Sequence, residues 1–380
     1  EWEYDGAVIS DWGAVHDTKE AAESDLDVEM SVGPDFDNYY MANPLLEAVR
    51  NGQINEEYID KKVRNILRTM LRLNMLGDES ESRKPGTYNS HKHQETILNI
   101  AEESIILLKN EGNLLPLDKK IKSLAVIGQN ADRLHAGGGG SAELKTLYEI
   151  APLLGLKMEL GGNVNIKYAK GYYVPPKVKK EENWQQDSLN VEKENRHIRQ
   201  TDKEIERVQE ELLKEAVNLA KETENVIIFA GLDHEYDVEG KDRANMKLPY
   251  GQDRLILEVL KVNPNAIVVI IAGSPVEMGS WVKEARAILW SYYAGMEGGR
   301  ALARVLFGDV SPSGKLAESF PKTHTDCPAH SLGEFGDYEK INYNEGIFVG
   351  YRYYDTHNID VEFPFGHGLS YTTFDYSNLK

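Results

Sequence analysis

Two stretches of this sequence place carboxylates where they could take part in chemistry. The first contains Asp11, which follows the apolar run Ala7–Ser10 and precedes Trp12. We expect residues 7–11 to form a buried strand, and parallel α/β folds bind ligands at the carboxyl ends of such strands. A carboxylate there could attack an anomeric carbon, while the Trp12 indole covers the apolar face of a pyranose. The alternative is that Asp11 caps the next helix and that Trp12 lies in the core.

The second stretch is the loop at residues 231–243, which follows an apolar run predicted to be a strand. Its carboxylates are Asp233, Glu235, Asp237, Glu239 and Asp242. Mutual repulsion is expected to raise the pKa of some of them, and a raised pKa suits a general acid that works near neutral pH. The alternatives are a solvated acidic loop, or a structural ion pair between Asp242 and Arg243.

A glycine-rich segment, Gly137–Gly140, precedes Ser141 and resembles a dinucleotide-binding fingerprint. However, residues 129–136 separate it from the predicted strand that ends near Gly128, whereas fingerprint glycines follow their strand directly. A flexible loop that brings Ser141 close to a ligand fits better. The sequence lacks Gly-Lys-Ser/Thr, Gly-x-Ser-x-Gly, His-Glu-x-x-His and a cysteine pair, so we expect no nucleotide cofactor, no serine hydrolase and no catalytic metal.

The composition limits the partners of the chain. Its 380 residues allow two domains, and 62 acidic against 43 basic residues give a net charge of -19. A surface this negative repels nucleic acid and anionic lipid, but it does not penalise neutral, sugar-like ligands. The single cysteine, Cys327, excludes an internal disulfide. One cysteine is compatible with the cytoplasm, although a periplasmic or secreted location is slightly favoured.

The elements that would position Asp11 are few. Besides residues 7–11, we expect a second strand at 25–30 and helices at 17–24, 43–51 and 55–73. The last helix has an apolar face formed by Ile59, Val63, Ile66, Leu67, Met70 and Leu71. Two strand–helix units cannot close a barrel alone. The polar residues 77–90 are predicted to be a linker.

A second α/β region follows the linker. Continuous apolar runs predict strands that are buried on both faces, at 123–128, 164–169, 225–231, 266–273 and 286–292. Helical patterns lie at 91–109, 204–222, 252–262 and 297–307. The densely charged residues 177–215 are expected to form a solvated loop that leads into an exposed helix.

Several motifs together resemble glycoside hydrolase family 3, the β-glucosidase family. Val8–Ala14 is similar to its nucleophile segment, and Glu239–Arg243 is similar to its acid/base loop. Further matches occur in the order of the family, at Ser104–Asn110, Leu114–Leu117, Val126–Ala131, Gly138–Ala142, Leu248–Pro249, Gly314–Leu316, Gly346–Tyr354 and Phe363–Tyr371. The resemblance therefore covers essentially the whole chain.

The resemblance implies an α/β fold in which the terminal part of a (β/α)8-like barrel precedes an (α/β)6 sandwich domain with a mostly parallel sheet. Residues 1–76 would be the barrel segment that carries the nucleophile, and 77–90 the linker. Residues 91–370 would be the sandwich domain that carries the acid/base, and 371–380 the start of a fibronectin-III-like domain. The chain begins with Glu1 rather than Met, and we expect most of the barrel to lie in a longer protein.

The resemblance also implies a retaining β-glycosidase, most simply an exo-acting β-glucosidase that hydrolyses terminal non-reducing β-D-glucosyl residues of a glycoside or oligosaccharide without a cofactor. Asp11 would be the nucleophile and Glu239 the acid/base, with Glu235 the second choice and Asp233 a weaker third. Trp12 and Ser141 would contact the sugar. The alternatives are a β-xylosidase, another exo-β-glycosidase, or an inactive fragment or sugar-binding module that lacks most of the barrel.

Overall fold

A computed structural model describes residues 4–30, 33, 35–77, 85–175, 202–333, 335–336 and 340–378. Contacts within the chain define two compact units, Glu1–Tyr88 and Asn89–Lys380. Some residues of the predicted segments lie outside the described residues: 78–84 of the linker, 177–201 of the charged stretch, and 379–380 at the end of the chain. The assignment of these units to a barrel segment and a sandwich domain with the predicted boundaries stays a prediction.

The first unit contains the predicted helices but not the predicted strands. Its helices are α1 (Thr18–Glu23), α2 (Asn43–Arg50) and α3 (Glu57–Arg72). Instead of two strands, residues 7–11 and 25–30 form a single parallel bridge, between Ile9 and Val28, with a few hydrogen bonds around it. Ile9 is 57% exposed, so the prediction of a buried strand is wrong. The described part of this unit offers no neighbouring strand to extend the pair, and such a pair is marginal alone.

Lys62, on α3, holds the segment that follows α1. Its side chain is buried, and its ammonium donates hydrogen bonds to the carbonyl oxygens of Ala21 (3.1 Å), Ser24 (2.9 Å) and Leu26 (2.5 Å). Burial is the main reason why the pKa of Lys62 lies below its ordinary value. One buried cation therefore satisfies three carbonyls close to Val28, which pairs with the strand-like segment before Asp11.

The predicted apolar face of α3 is only partly used. The small core of this unit consists of Ala22, Leu45 and Ile54. Val63, Leu67 and Leu71 on α3 remain 44%, 43% and 56% exposed. Contiguous apolar surface of this kind is typical of a face that meets another protein surface.

The second unit is built around one large sheet. The described residues contain a six-stranded sheet in the order β1-β6-β5-β4-β2-β3. Its strands are β1 (Ile106–Asn110), β2 (Ser123–Ile127), β3 (Asn165–Ala169), β4 (Val226–Gly231), β5 (Ile267–Ile271) and β6 (Ala287–Ser291). All pairs are parallel except β1 with β6. This mostly parallel α/β sheet confirms the predicted fold class.

Helices cover both faces of this sheet. The larger ones are α4 (His91–Ser104), α5 (Pro152–Leu160), α6 (Asp202–Glu222), α7 (Gln252–Val262) and α8 (Gly298–Leu306). Alternate residues of β4 pack into two cores: Ile228 lies with α6 and α7, whereas Ile227 lies with α4, α5 and α8. The continuous apolar sequence of β4 thus reflects a strand buried on both faces, as predicted.

The remaining α-helices and strands of the described residues lie near the end of the chain. They are α9 (Pro328–Ser331), α10 (Tyr351–His357) and the antiparallel strands β7 (Phe320–Pro321) and β8 (Val361–Phe363). Residues 371–378, where a further domain was predicted to start, form neither helix nor strand. Among the described residues, no helix combines the length and apolar composition needed to span a bilayer.

Two sequence predictions for the second unit are wrong in detail. The helix predicted for 91–109 ends at Ser104, because the apolar residues after it form β1 and pair with β6. Strand β3 is present but is not buried on both faces, since it lies at the edge of the sheet and exposes Asn165 and Lys167. Helix α5 was not predicted at all.

Candidate active site

Asp11 and Trp12 lie in the turn that follows the Ile9–Val28 bridge. The Trp12 N–H donates a 2.8 Å hydrogen bond to Asp11 Oδ1, and the Trp12 side chain is 59% exposed. The N-cap of α1 is Asp17, whose Oδ1 accepts from the Glu20 N–H at 2.7 Å. The alternative in which Asp11 caps the helix and Trp12 lies in the core is therefore wrong. Both side chains are presented to solvent in the first unit.

The acidic loop follows β4 at the carboxyl edge of the sheet in the second unit. Its first carboxylate, Asp233, is buried and forms an ion pair with Arg133, with 2.6 Å between Nη1 and Oδ2. Asp233 also accepts from the Tyr250 hydroxyl (3.0 Å) and from the Glu235 N–H (3.0 Å). These contacts hold the Asp233 carboxylate in place at the start of the loop. A carboxylate that is buried and already paired in this way is a poor candidate for the acid/base.

Asp237 anchors the middle of the loop. Its Oδ2 accepts hydrogen bonds from the Gly273 N–H (2.5 Å) and the Tyr293 hydroxyl (2.9 Å), and its Oδ1 accepts from Ser274 Oγ (3.1 Å). Gly273 and Ser274 follow β5, and Tyr293 follows β6. This carboxylate therefore ties the loop after β4 to the end of β5, which pairs with β4, and to the end of β6, which pairs with β5.

Glu239 lies on the exposed part of the loop, against the glycine-rich segment. Gly139 pairs with Val238 in a parallel bridge, and the Ser141 N–H donates to Glu239 Oε2 at 3.1 Å. A Cβ atom on Gly140 would lie 2.8 Å from Glu239 Cβ, so the close approach requires glycine there. The structure thus brings together the predicted acid/base and the predicted sugar-contacting Ser141.

The pKa of Glu239 moves in the opposite direction from the predicted one. Hydrogen bonds from the Ser141 side chain and then from its backbone N–H hold the pKa of this carboxyl below its ordinary value. The prediction that repulsion within the loop raises the pKa is wrong for Glu239, because the hydrogen bonds from Ser141 have the larger effect on its carboxyl. In the described arrangement Glu239 is a stabilised carboxylate.

The other acidic residues of the loop differ in their contacts. Glu235 lies 3.9 Å from Lys241 Nζ in a solvent-accessible ion pair. Asp242 is exposed, and the predicted ion pair with Arg243 is not formed, since Arg243 donates instead to Ser274 Oγ (3.1 Å) and the Pro275 carbonyl (3.0 Å). Beside the loop is a cavity of about 340 Å³ whose lining includes Arg243 and Tyr354.

Sequence reasoning missed Tyr293, His135 and His234. His234 Nε2 lies 2.8 Å from the Gly137 carbonyl, and His135 stacks on Tyr293 with ring centroids 5.7 Å apart. These residues come from three separate loops, and only the strand order brings them together. Among the described residues, no cluster of three or more His, Cys, Asp or Glu side chains could hold a metal ion.

Replacing Ser141 by alanine is expected to raise the pKa of Glu239. The hydroxyl stabilises the charged form of Glu239, so without it the carboxyl keeps its proton to higher pH. An NMR titration of the Glu239 side-chain carboxyl measures this shift. Ser141→Thr keeps a hydroxyl and is the matched control. A Glu239 pKa at or below the wild-type value in Ser141→Ala would contradict this role of Ser141.

Comparison with known proteins agrees with the resemblance of the motifs. Residues 105–371 match the glycosyl hydrolase family 3 C-terminal domain. A β-glucosidase from Bacteroides ovatus is 41% identical over 99% of this chain and 50% of its own length. An exo-α-(1→6)-L-arabinopyranosidase from Bifidobacterium longum is 32% identical over 100% of this chain and 45% of its own.

Solved structures give the same result. The crystal structure of a β-glucosidase from Kluyveromyces marxianus in complex with glucose superposes with a TM-score of 0.80 and 27% identity, covering 99% of this chain and 60% of that one. The chain spans about half the length of the curated relatives it matches.

Proposed function

Because the chain belongs to glycosyl hydrolase family 3, we propose that the full-length protein is a retaining β-glycosidase of the β-glucosidase type. Its substrates are terminal non-reducing β-D-glucosyl residues of glycosides or oligosaccharides. The observation that carries this proposal is the position of Glu239, an exposed carboxylate on a loop that is anchored through Asp237 and that faces the glycine-rich segment. Asp11, the second carboxylate of the proposed pair, is exposed beside Trp12 in the first unit.

The proposed reaction has two steps. In the first, an Asp11 carboxylate oxygen bonds to the anomeric carbon while the bond to the leaving oxygen breaks and Glu239 gives that oxygen a proton. In the second, Glu239 takes a proton from water, the water oxygen bonds to the anomeric carbon, and Asp11 is released. Both steps invert the anomeric carbon, so the product keeps the β configuration. In retaining glycosidases in general, the two catalytic carboxyls lie about 5 to 5.5 Å apart.

The first step requires Glu239 in its protonated form, whereas the hydrogen bonds from Ser141 favour the carboxylate. Glu239 is exposed in the described unit. Enclosure by the sugar and by the rest of the protein removes water from the carboxyl, and this desolvation raises its pKa. We therefore infer that Glu239 becomes an effective acid only in the assembled, substrate-bound enzyme.

The 380-residue chain alone is proposed to be inactive. Since its relatives are about twice as long, the remaining segment is proposed to supply the barrel residues that fix the sugar hydroxyls. Orientation of the sugar contributes a large part of the rate of such reactions. The exposed apolar face of α3, at Val63, Leu67 and Leu71, is surface that such a segment would cover.

A second candidate substrate class is a pentopyranoside. The relative named as an exo-α-(1→6)-L-arabinopyranosidase is 32% identical to this chain over its full length. A β-D-glucopyranoside and an α-L-arabinopyranoside present the same ring orientation at the anomeric centre, and they differ in the hydroxyl pattern and the hydroxymethyl group. Residues outside this chain are proposed to choose between them.

The experiment that tests the proposed function uses the full-length protein with 4-nitrophenyl β-D-glucoside, β-D-xyloside and α-L-arabinopyranoside. We expect the β-D-glucoside to have the highest kcat/KM, and proton NMR to show that its hydrolysis first releases the β anomer of glucose. A first product of α configuration from the β-D-glucoside would refute the retaining mechanism. Absence of hydrolysis with all three substrates would refute the glycosidase assignment, and faster hydrolysis of the arabinopyranoside would favour the second candidate.

A further inference from the structure

Tyr293 occupies the centre of an aromatic and polar cluster beneath the acidic loop. Its ring stacks on His135 at 5.7 Å with an interplanar angle of 4°, and it meets His234 edge-on at 6.3 Å. The Tyr293 hydroxyl donates a 2.9 Å hydrogen bond to Asp237 Oδ2. Burial, with the Asp237 charge as a further cause, raises the pKa of Tyr293, so the phenol stays protonated and keeps donating.

Asp237, which Tyr293 holds in place, contacts the glycine-rich segment and directly precedes Val238 and Glu239 in the acidic loop. Its backbone carbonyl accepts from the Gly139 N–H at 3.0 Å, and the next residue, Val238, forms the bridge with Gly139. Glu239 follows directly. Its carboxylate meets the Ser141 N–H two residues beyond Gly139. The side chain of Asp237 therefore fixes, through its own backbone, the register between the acidic loop and the glycine-rich segment.

The packing around Tyr293 leaves little freedom for another arrangement. A Cβ atom on Gly273 would lie 2.8 Å from Asp237 Oδ2 and 3.1 Å from Tyr293 Cε2. On the other side, a Cβ atom on Gly139 would lie 3.1 Å from both His234 Cβ and Val238 Cβ. The acidic loop is therefore packed tightly between the Gly273 backbone and the Gly139 backbone. A shift of the loop towards one of them creates a clash, and a shift away breaks a hydrogen bond.

We propose that Tyr293 and Asp237 are positioning residues that hold the Glu239 carboxyl at the place where it gives its proton to the leaving group. The inference rests on the proposed function and adds two residues to it. Tyr293 and Asp237 act through the backbone between Asp237 and Glu239, and neither takes part in proton transfer. Loss of the hydrogen bond between Tyr293 and Asp237 is thus expected to lower kcat/KM most for substrates whose leaving group must be protonated.

Leaving-group dependence separates such a role from simple stabilisation of the fold. A dinitrophenolate leaves without protonation, whereas the alcohol oxygen of cellobiose needs a proton from the general acid. Misplacing the acid therefore lowers kcat/KM for cellobiose selectively. A smaller fraction of folded enzyme lowers the apparent kcat/KM for both substrates by the same factor. The ratio of the two kcat/KM values is therefore independent of the folded fraction.

The test compares Tyr293→Phe with wild type in the full-length enzyme, using cellobiose and 2,4-dinitrophenyl β-D-glucoside. We expect kcat/KM for cellobiose to fall by about 10- to 100-fold, the scale of a misplaced catalytic group, with a change below about threefold for the dinitrophenyl substrate. Tyr292→Phe is the matched control, since Tyr292 packs in the opposite core and contacts Trp290 at 5.9 Å. The control should leave the ratio unchanged.

Asp237→Ala provides a second, independent variant. If the two residues act as a unit, Asp237→Ala should show the same leaving-group dependence, and the double variant should be no worse than Asp237→Ala alone. Equal losses on both substrates, or an unchanged ratio in Tyr293→Phe, would overturn the inference while leaving the proposed function in place. Absence of hydrolysis by the wild-type enzyme would refute the proposed function, and the inference with it.

Discussion

Replacing Asp11 by alanine in the full-length protein is expected to lower kcat for an aryl β-D-glucoside by about 10⁴-fold or more, the scale on which loss of a nucleophile acts. In the proposed mechanism this carboxylate forms the bond to the anomeric carbon, and no group in the variant replaces it. The exposed position of Asp11 beside Trp12 is consistent with this role. A fold-wide effect is not expected, because the described contact of Asp11 is local.

The measurement is kcat for 4-nitrophenyl β-D-glucoside, with thermal unfolding as the check on folding. Asp17→Ala is the matched control, because Asp17 is a nearby carboxylate that caps α1. Loss of that cap should cost about 1 kcal/mol of stability while leaving kcat close to wild type. A kcat within tenfold of wild type in Asp11→Ala would show that another residue is the nucleophile.

Replacing Glu239 by alanine should give a different pattern. For cellobiose, we expect kcat/KM to fall by about 10²- to 10⁴-fold, the range of general acid catalysis. For 2,4-dinitrophenyl β-D-glucoside the first step needs no proton, so kcat/KM should change little, and the second step should become rate-limiting. Azide, which attacks without a general base, should then restore turnover and yield β-D-glucosyl azide.

Glu235→Ala tests the second candidate for the acid/base under the same conditions. Glu235 lies in the same loop but forms a solvent-accessible ion pair with Lys241, so its loss should have a small effect on cellobiose hydrolysis. Azide should give no rescue. Azide rescue in Glu235→Ala but not in Glu239→Ala would reverse the assignment.

The sheet was predictable from sequence where local pattern and burial agree. Strands β4 and β5 are continuous apolar runs, and the structure buries them on both faces. Strand β1 was assigned to a helix, because the four apolar residues after Ser104 directly continue a helical pattern without a break. Its pairing with β6 joins residues that are about 180 positions apart, and no local pattern reports such a partner. The strands predicted near Asp11 are reduced to one exposed bridge, because the described residues of that unit contain no further strand beside them.

The candidate site was predictable only in part. Asp11, Glu239 and Ser141 were found through motifs, and the structure adds that Ser141 contacts Glu239 across 98 positions of the chain. That contact reverses the expected direction of the Glu239 pKa. In the sequence, Asp237 could not be told apart from the other carboxylates of the acidic loop. In the structure it accepts hydrogen bonds from Gly273 and Tyr293 and so anchors the loop. Such partners follow from strand order and cannot be read from the spacing of residues.

The most direct test of the proposed retaining mechanism is to trap its covalent intermediate. The full-length protein would be incubated with 2,4-dinitrophenyl 2-deoxy-2-fluoro-β-D-glucoside, digested and analysed by peptide mass spectrometry. The electron-withdrawing fluorine slows both steps, and the good leaving group lets the first step proceed. We predict one fluoroglucosyl group per protein, attached to the peptide that contains Asp11. A label on any other residue, or rapid turnover with inversion and no label, would contradict the account.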